Sequence, residues 1–116
     1  MKFIDPGFKG NNPGHYSTAV VSNGMLYVSG LLSMDPDTRE VCTGDIQAHA
    51  AQALQNLDRV LKAAGVERSQ VVFCRVYTPS NEYWGPINAL YAQFFWRTQT
   101  RPGCRFDNSA SLRLPR

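Results

Sequence analysis

The amino-acid sequence predicts a two-layer α/β sandwich, in which two helices cover one face of a mixed sheet. Three observations favour this fold class: an Asn-Gly turn between two short apolar runs, two stretches with helical periodicity, and a β-branched run between those stretches. A chain of 116 residues has the size of one domain, so we expect residues 1–116 to share one hydrophobic core. With 43% hydrophobic and 18% charged residues, the composition is typical of a folded globular protein and not of a disordered one.

The first predicted element is a β-hairpin in residues 14–30, which read GHYSTAVVSNGMLYVSG. Asn23 and Gly24 separate the two apolar runs, and this dipeptide tolerates the positive φ angles of a tight type I′ turn. Residues 35–40 combine Pro with turn-forming Asp, so they should end the second strand and reverse the chain. The small and polar residues at the two ends of the hairpin either terminate its strands or line a site.

The strongest helical pattern lies between Asp45 and Gly65, where apolar residues recur at three- and four-residue steps. Asp45 suits the N-cap, and Gly65 suits a C-terminal stop. The polar residues of this helix, including His49 and Asn56, are predicted to face water while the apolar side covers the sheet. A second helix is predicted to begin at residues 84–86, Trp-Gly-Pro, because a helix start does not need the N–H that Pro lacks.

Two further strands are predicted around the second helix. Residues 70–78 read QVVFCRVYT, a β-branched and aromatic run that Pro79 closes. A last short strand is predicted within residues 104–112, after Pro102 and Gly103. The resulting order β-β-α-β-α-β leaves one sheet face uncovered, which indicates a homo-oligomer.

Several classes of function are excluded by composition. The apolar runs are far shorter than the roughly 20 residues that span a bilayer, and no signal peptide is recognisable, so we expect a cytoplasmic protein. Cys42, Cys74 and Cys104 are odd in number and widely spaced, which argues against structural zinc and against a disulfide framework. Arginines cluster in residues 97–116, but basic and aromatic residues do not alternate there, so we expect no nucleic-acid partner.

A series of short segments resembles one known family, in sequence order and at nearly its spacing. They are residues 14–19 (GHYSTA), 26–30 (LYVSG), 44–46 (GDI), 52–57 (QALQNL), 63–65 (AAG), 71–72 (VV), 76–77 (VY), Trp84 with Asn88, and 91–95 (YAQFF). The family is that of the reactive-intermediate deaminases, also called RidA or YjgF, and the resemblance covers about 95 of the 116 residues.

The resemblance implies both a fold and an activity. It implies a chorismate-mutase-like subunit that forms a homotrimer through its sheets, with a ligand cleft at each subunit interface. It also implies hydrolysis of small enamines and imines, of the 2-iminobutanoate and 2-iminopropanoate type, to 2-keto acids and ammonia. Family members use no metal and no organic cofactor, so we expect none here.

The resemblance further indicates which residues form the site. A 2-imino acid carries a carboxylate, and a guanidinium can hold it through two parallel hydrogen bonds. The family places this arginine in a Pro-small-Arg pattern after the second helix, and Arg105 in the run 102–105 (PGCR) is the nearest match, shifted by one residue. Arg101 is the alternative anchor, and a third alternative is that the chain has no such anchor. The cleft is expected to be lined by Tyr16, Ser29, Gly30, Trp84 and Cys104.

Two departures from the family pattern leave the activity open. Leu31 stands where members commonly have glutamine, and the chain ends at Arg116, before the final family strand and the glutamate thought to orient the hydrolytic water. The sequence therefore supports two hypotheses of different class: an imine hydrolase, and a non-catalytic trimer of the same family that binds small metabolites. RNA binding or cleavage is attributed to some relatives. The sequence does not favour it here, because it shows no general acid-base histidine pair in a recognisable setting.

Overall fold

The computed structural model describes residues 1–10, 17–96 and 103–107, and for Trp96 and residues 103–107 it describes the backbone alone. Within these ranges no helix has the length and apolar character that crossing a membrane requires. The regular elements follow in the order β1 (Lys2–Ile4), β2 (Ala19–Ser22), β3 (Met25–Val28), α1 (Ile46–Ala64), β4 (Phe73–Tyr77), α2 (Trp84–Trp96) and β5 (Gly103–Asp107), with short 3₁₀ turns at Arg68–Gln70 and Asn81–Tyr83.

The hairpin is confirmed, with one strand more than expected. Asn23 and Gly24 have φ angles of 52° and 75°, which is the left-handed conformation that a type I′ turn requires at both centres. Strands β2 and β3 pair on either side of this turn. The three residues of β1 then pair antiparallel with β2, opposite the edge taken by β3. A strand of three residues leaves little pattern in the sequence. It forms because its backbone pairs with β2, which is distant in the sequence.

The segment 35–40 is a turn, as predicted, but it does not end the second strand, because β3 already ends at Val28. The Asp35 carboxylate accepts a hydrogen bond from the Asp37 N–H at 2.8 Å, and its carbonyl accepts one from the Arg39 N–H at 2.7 Å. Arg59 of α1 holds the turn from outside, because its guanidinium lies 3.1 Å from the Asp37 carboxylate. This hydrogen bond from Arg59 lowers the pKa of Asp37 below its ordinary value of 3.8.

Helix α1 has the bounds that its capping residues predict. The Asp45 side chain accepts a hydrogen bond from the Ala48 N–H at 3.0 Å. At the other end Gly65 has a φ of 69°, its N–H donates to the Lys62 carbonyl, and the next N–H, that of Val66, donates to the carbonyl of Leu61. This pair of bonds is a Schellman motif, which satisfies two carbonyls at the helix end.

Strands β4 and β5 form a parallel pair beside the helices. The predicted strand 70–78 is shorter in the structure, where it comprises residues 73–77. Gln70 belongs instead to the preceding 3₁₀ turn, in which its carboxamide accepts from the Glu67 N–H at 2.8 Å. Of the predicted last strand, 104–112, residues 104–107 belong to β5, and residues 108–112 lie outside the described residues.

Helix α1 packs against both groups of strands. Its first half joins a buried cluster with β4 and α2, which consists of Ala50, Val76 and Ile87. Its second half joins another cluster, beneath β1 and β2, which consists of Ile4, Ala19 and Val60. The expectation of helices packed on one side of strands is therefore confirmed for α1 and α2. Both antiparallel and parallel pairing occur, but among the described residues they form two separate ladders and not one continuous mixed sheet.

The opposite side of the strands carries exposed aromatic side chains. Phe3 lies beside Val20 and Val20 beside Tyr27 in the strand register, so these three form one cross-strand row. Phe3 and Tyr27 are more than half exposed, as is Phe73 on β4. Among the described residues of one chain, then, nothing covers these aromatic side chains on the face turned away from the helices.

Two residues of α1 contradict the prediction that its polar side chains face water. His49 is 6% exposed and Asn56 is 3% exposed. Both lie on the side of α1 that faces the chain segment following β3, where their side chains find hydrogen-bond partners. The prediction that His49 faces water is therefore wrong.

Candidate functional site

Ser29 and Gly30 follow β3 directly, where the resemblance places the cleft. The Ser29 N–H and the Ser29 hydroxyl both lie within hydrogen-bonding distance of the Thr18 carbonyl, at 2.9 and 3.0 Å, and both donate to it. The hydroxyl hydrogen is thus used within the hairpin. Towards a ligand this hydroxyl can offer its oxygen as an acceptor, which suits an N–H group and not a carboxylate.

The segment after Gly30 is fixed by a buried side-chain pair. Ser33 is 0% exposed, and its Oγ lies 2.8 Å from Nδ1 of His49. The Ser33 carbonyl accepts a hydrogen bond from the Cys42 N–H at 3.0 Å. Both side chains are buried and hydrogen-bonded to each other, so this pair ties the segment to α1.

A carboxamide of α1 holds the same segment. The Asn56 Nδ2 donates to the carbonyls of Leu32 at 3.0 Å and Met34 at 2.9 Å, and its Oδ1 accepts from Nε2 of Gln52 at 2.9 Å. Sequence reasoning missed this set because polar residues on a helix normally face solvent. The available signal was the spacing of His49, Gln52 and Asn56, which are three and four residues apart and share one helix face.

Trp84 is the first residue of α2 and is 50% exposed. Just before it, the Ser80 hydroxyl accepts a hydrogen bond from the Glu82 N–H at 3.3 Å and starts the 3₁₀ turn that leads into α2. Pro86 lies in the first turn of the helix, as predicted. The indole is therefore partly accessible at the start of the helix, where it can form a wall of a site.

Cys104 and Arg105 lie on β5, and the strand register gives their neighbours. Cys104 is opposite Cys74, and Arg105 is opposite Arg75. The Arg75 guanidinium lies 5.6 Å from the centre of the Phe73 ring and donates to the Tyr77 hydroxyl at 3.3 Å.

The structure places the described site residues at two separate ladders and leaves other predicted site residues undescribed. Ser29 and Gly30 adjoin the β1–β3 ladder, whereas Arg105 belongs to the β4–β5 ladder. Tyr16 and the alternative anchor Arg101 lie outside the described residues. In the part of the chain that is described, no cluster of His, Cys, Asp or Glu could hold a metal ion.

A groove between α1 and α2 is a separate feature of the surface. It has a volume of about 500 Å³, and Arg68 and Asp58 line one side, with their side chains 3.1 Å apart. Burial raises the pKa of Asp58, but hydrogen bonds from Lys62 and Arg68 outweigh burial and lower the pKa below its ordinary value of 3.8. Of the predicted site residues whose side chains the structure describes, Ser29, Gly30 and Trp84, none lines this groove.

The described elements define a class of protein: a small α/β sandwich with an uncovered aromatic strand face and a candidate carboxylate-binding strand. Comparison with known proteins gives the family. A family model described as "Endoribonuclease L-PSP" matches residues 10–107. The chain belongs to this family, which includes the RidA, YjgF and RutC proteins, so the resemblance found in the sequence is confirmed.

Individual relatives agree with this assignment. The chain is 38% identical over 82 residues to the "2-iminobutanoate/2-iminopropanoate deaminase" of Rattus norvegicus. These 82 residues are 71% of this chain and 60% of that relative. The match thus spans three fifths of the rat protein's length. A crystal structure of a putative endoribonuclease from Thermotoga maritima superposes with a TM-score of 0.88 at 33% identity, covering 97% of this chain and 87% of that one. The structure of Escherichia coli TdcF with bound serine gives a TM-score of 0.87 at 26% identity, covering 97% and 88%.

Proposed function

We propose that this protein hydrolyses small 2-imino acids, and the enamines that tautomerise to them, giving 2-keto acids and ammonia. The observation that carries the proposal is the similarity to the rat protein named 2-iminobutanoate/2-iminopropanoate deaminase, at 38% identity over 71% of this chain. The TdcF relative adds support, because its structure contains bound serine, and serine shares a carboxylate and an α-nitrogen with a 2-imino acid.

The proposed chemistry needs one cation and one water molecule. The Arg105 guanidinium holds the substrate carboxylate, which fixes the neighbouring C=N carbon for attack. Water adds to that carbon, the nitrogen takes up protons, and the C–N bond breaks to release ammonia and leave a C=O group. Because the Ser29 hydroxyl donates to the Thr18 carbonyl, its oxygen remains as an acceptor for the substrate N–H. Tyr16, Gly30, Trp84 and Cys104 complete the walls.

We further propose that the active assembly is a homotrimer with the cleft between subunits. The exposed aromatic row of Phe3 and Tyr27, together with Phe73, is the surface that a second copy would cover. An interface also explains why Ser29 and Arg105 adjoin separate ladders in one chain, since a cleft between copies can take residues from each.

The test is an assay of keto-acid release from 2-iminobutanoate generated in situ. The wild type should exceed spontaneous hydrolysis, and Arg105→Ala should lower kcat/KM about 100-fold, because losing one partner of a desolvated charge pair costs about 2–5 kcal/mol. Arg101→Ala is the matched control and should stay within about threefold of the wild type. An active enzyme that is indifferent to Arg105→Ala, or one that loses activity with Arg101→Ala instead, contradicts the proposed anchor.

The second candidate is a metabolite-binding module with the same cleft. The observations that favour it are the one-residue shift of Arg105 from the family pattern and the engagement of the Ser29 hydroxyl within the hairpin. This candidate predicts no catalysis of imine hydrolysis together with measurable binding of 2-oxobutanoate.

Cleavage of RNA by a histidine pair is not supported by the described site. The chain has two histidines, and one of them, His49, is buried and bonded to Ser33. A pair of accessible histidines for general acid-base catalysis is therefore absent from the chain.

A further inference from the structure

We propose that Asn56 is a positioning residue for the candidate site, and that it acts through the backbone of the segment that follows Ser29 and Gly30. The inference rests on the proposed function for its catalytic consequence. Its structural part rests on the contacts of Asn56 with the carbonyls of Leu32 and Met34.

The first step concerns where Asn56 lies. One side of α1 carries His49, Gln52 and Asn56 and faces residues 32–34. On the inward side of a helix, apolar residues are the rule. Burying polar groups is unfavourable unless each one is hydrogen-bonded. Here each is, and among the described residues no buried side-chain nitrogen or oxygen lacks a partner. The polar side chains on this side of α1 therefore find their hydrogen-bond partners in the segment that they face.

The second step concerns what the segment needs. After β3 ends at Val28, the chain leaves the strand pairing and regains it at a single bridge between Met34 and Val41. At this bridge the Ser33 carbonyl accepts from the Cys42 N–H, whereas the carbonyls on either side of it, those of Leu32 and Met34, accept from a side chain. The two hydrogens of the Asn56 amide are donated to the carbonyls of Leu32 and Met34, at 3.0 and 2.9 Å, so one rigid planar group fixes two carbonyls that are two residues apart.

The third step concerns the orientation of the amide itself. Gln52 Nε2 donates to Asn56 Oδ1 at 2.9 Å, which leaves the amide nitrogen directed at the two carbonyls. Between those carbonyls, Ser33 is tied to His49 at 2.8 Å. The segment 32–34 is thus attached to α1 at three consecutive residues, two residues beyond Gly30.

The consequence for the site is geometric. Ser29 and Gly30 lie between the end of β3 and this attachment, so their backbone is fixed from both sides. A shift of about 1 Å in groups that border a reacting centre can lower the rate about 100-fold. Asn56 is therefore assigned to the site although it is buried in the helix packing and itself touches no substrate.

The test compares Asn56→Ala with Gln55→Ala, the adjacent exposed residue on the same helix. Both variants are assayed well below their unfolding midpoints. Asn56→Ala should reduce kcat/KM for 2-iminobutanoate at least tenfold, with most of the loss in kcat, and Gln55→Ala should match the wild type within about twofold. In Asn56→Ala the backbone amides of residues 30–34 should exchange with solvent at least tenfold faster, while those of β2 and β3 should be unchanged.

The outcomes separate this inference from the proposed function. If the folded Asn56→Ala variant keeps its kcat/KM, the positioning role is overturned, whatever the change in its unfolding midpoint. If the wild type shows no hydrolysis, the proposed function fails, and the amide exchange of residues 30–34 then decides the structural part. Unchanged exchange in Asn56→Ala overturns it, and faster exchange confined to this segment supports it.

Discussion

Substitution of Ser33 by Ala should destabilise the protein far more than the loss of one hydroxyl at a surface would. Ser33 is fully buried, and its Oγ lies 2.8 Å from Nδ1 of His49, which is itself 6% exposed. Removal of the hydroxyl leaves a buried ring nitrogen without its partner, and the unmet desolvation of such a group costs about 1–3 kcal/mol. We expect the free energy of unfolding to fall by about 2 kcal/mol.

The assay is urea unfolding at one fixed protein concentration, since assembly of copies would make stability concentration-dependent. Ser69→Ala serves as the matched control, because it makes the same substitution at an exposed serine. That variant should stay within about 0.5 kcal/mol of the wild type.

A double-mutant cycle tests the reason for the effect. In Ser33→Ala/His49→Leu both partners are gone, so no buried polar atom of the pair is left unmet. The double variant should be more stable than the sum of the two single effects predicts, by about 0.5–3 kcal/mol. Additive effects, or a Ser33→Ala variant as stable as Ser69→Ala, would refute the reasoning that the pair holds the segment to α1.

Three further outcomes concern α1 and its surroundings. Asp45→Ala removes the acceptor for the Ala48 N–H and should lower the free energy of unfolding by about 1 kcal/mol. Urea titration measures this difference, and no change would show that water replaces the cap. Gly65→Ala should lower the free energy of unfolding by about 1 kcal/mol, because the φ angle of 69° is unfavourable for alanine. No atom lies close enough to clash with the added methyl group, so the effect is conformational alone. A neutral result would contradict the left-handed cap. The Asp58 pKa is lowered in the fold, so the carboxylate contributes stability above its ordinary value of 3.8, and this contribution is lost as the pH falls through the lower folded value. The stability difference between wild type and Asp58→Asn should accordingly be largest near neutral pH and shrink below 3.8, and a difference independent of pH would contradict this.

The elements that local chemistry specifies were the ones that could be predicted. Helix α1 begins and ends where Asp45 and Gly65 indicate, because capping depends on residues within one turn of the helix end. The hairpin turn at Asn23 and Gly24 is likewise local. Strand β1 was missed because three residues gain strand structure only through pairing with β2.

The interior of the site could not be predicted in the same way. The sequence assigns His49 and Asn56 to solvent because a polar side chain on a helix usually lies there. Only the fold shows that the Ser33 hydroxyl lies opposite His49 and that the carbonyls of residues 32 and 34 lie opposite Asn56. The family resemblance supplied the proposed roles of Ser29 and Trp84, but the use of the Ser29 hydroxyl within the hairpin follows from the position of the Thr18 carbonyl, which lies 11 residues earlier in the chain.

The most direct test of the proposed site compares a carboxylate ligand with its neutral analogue. Binding of 2-oxobutanoate and of 2-oxobutanamide is measured by NMR titration, with the wild type and with Arg105→Ala. If the guanidinium holds the carboxylate, the wild type should bind 2-oxobutanoate at least tenfold more tightly than the amide, and Arg105→Ala should bind the two about equally. A preference for the carboxylate that survives in Arg105→Ala would contradict the account.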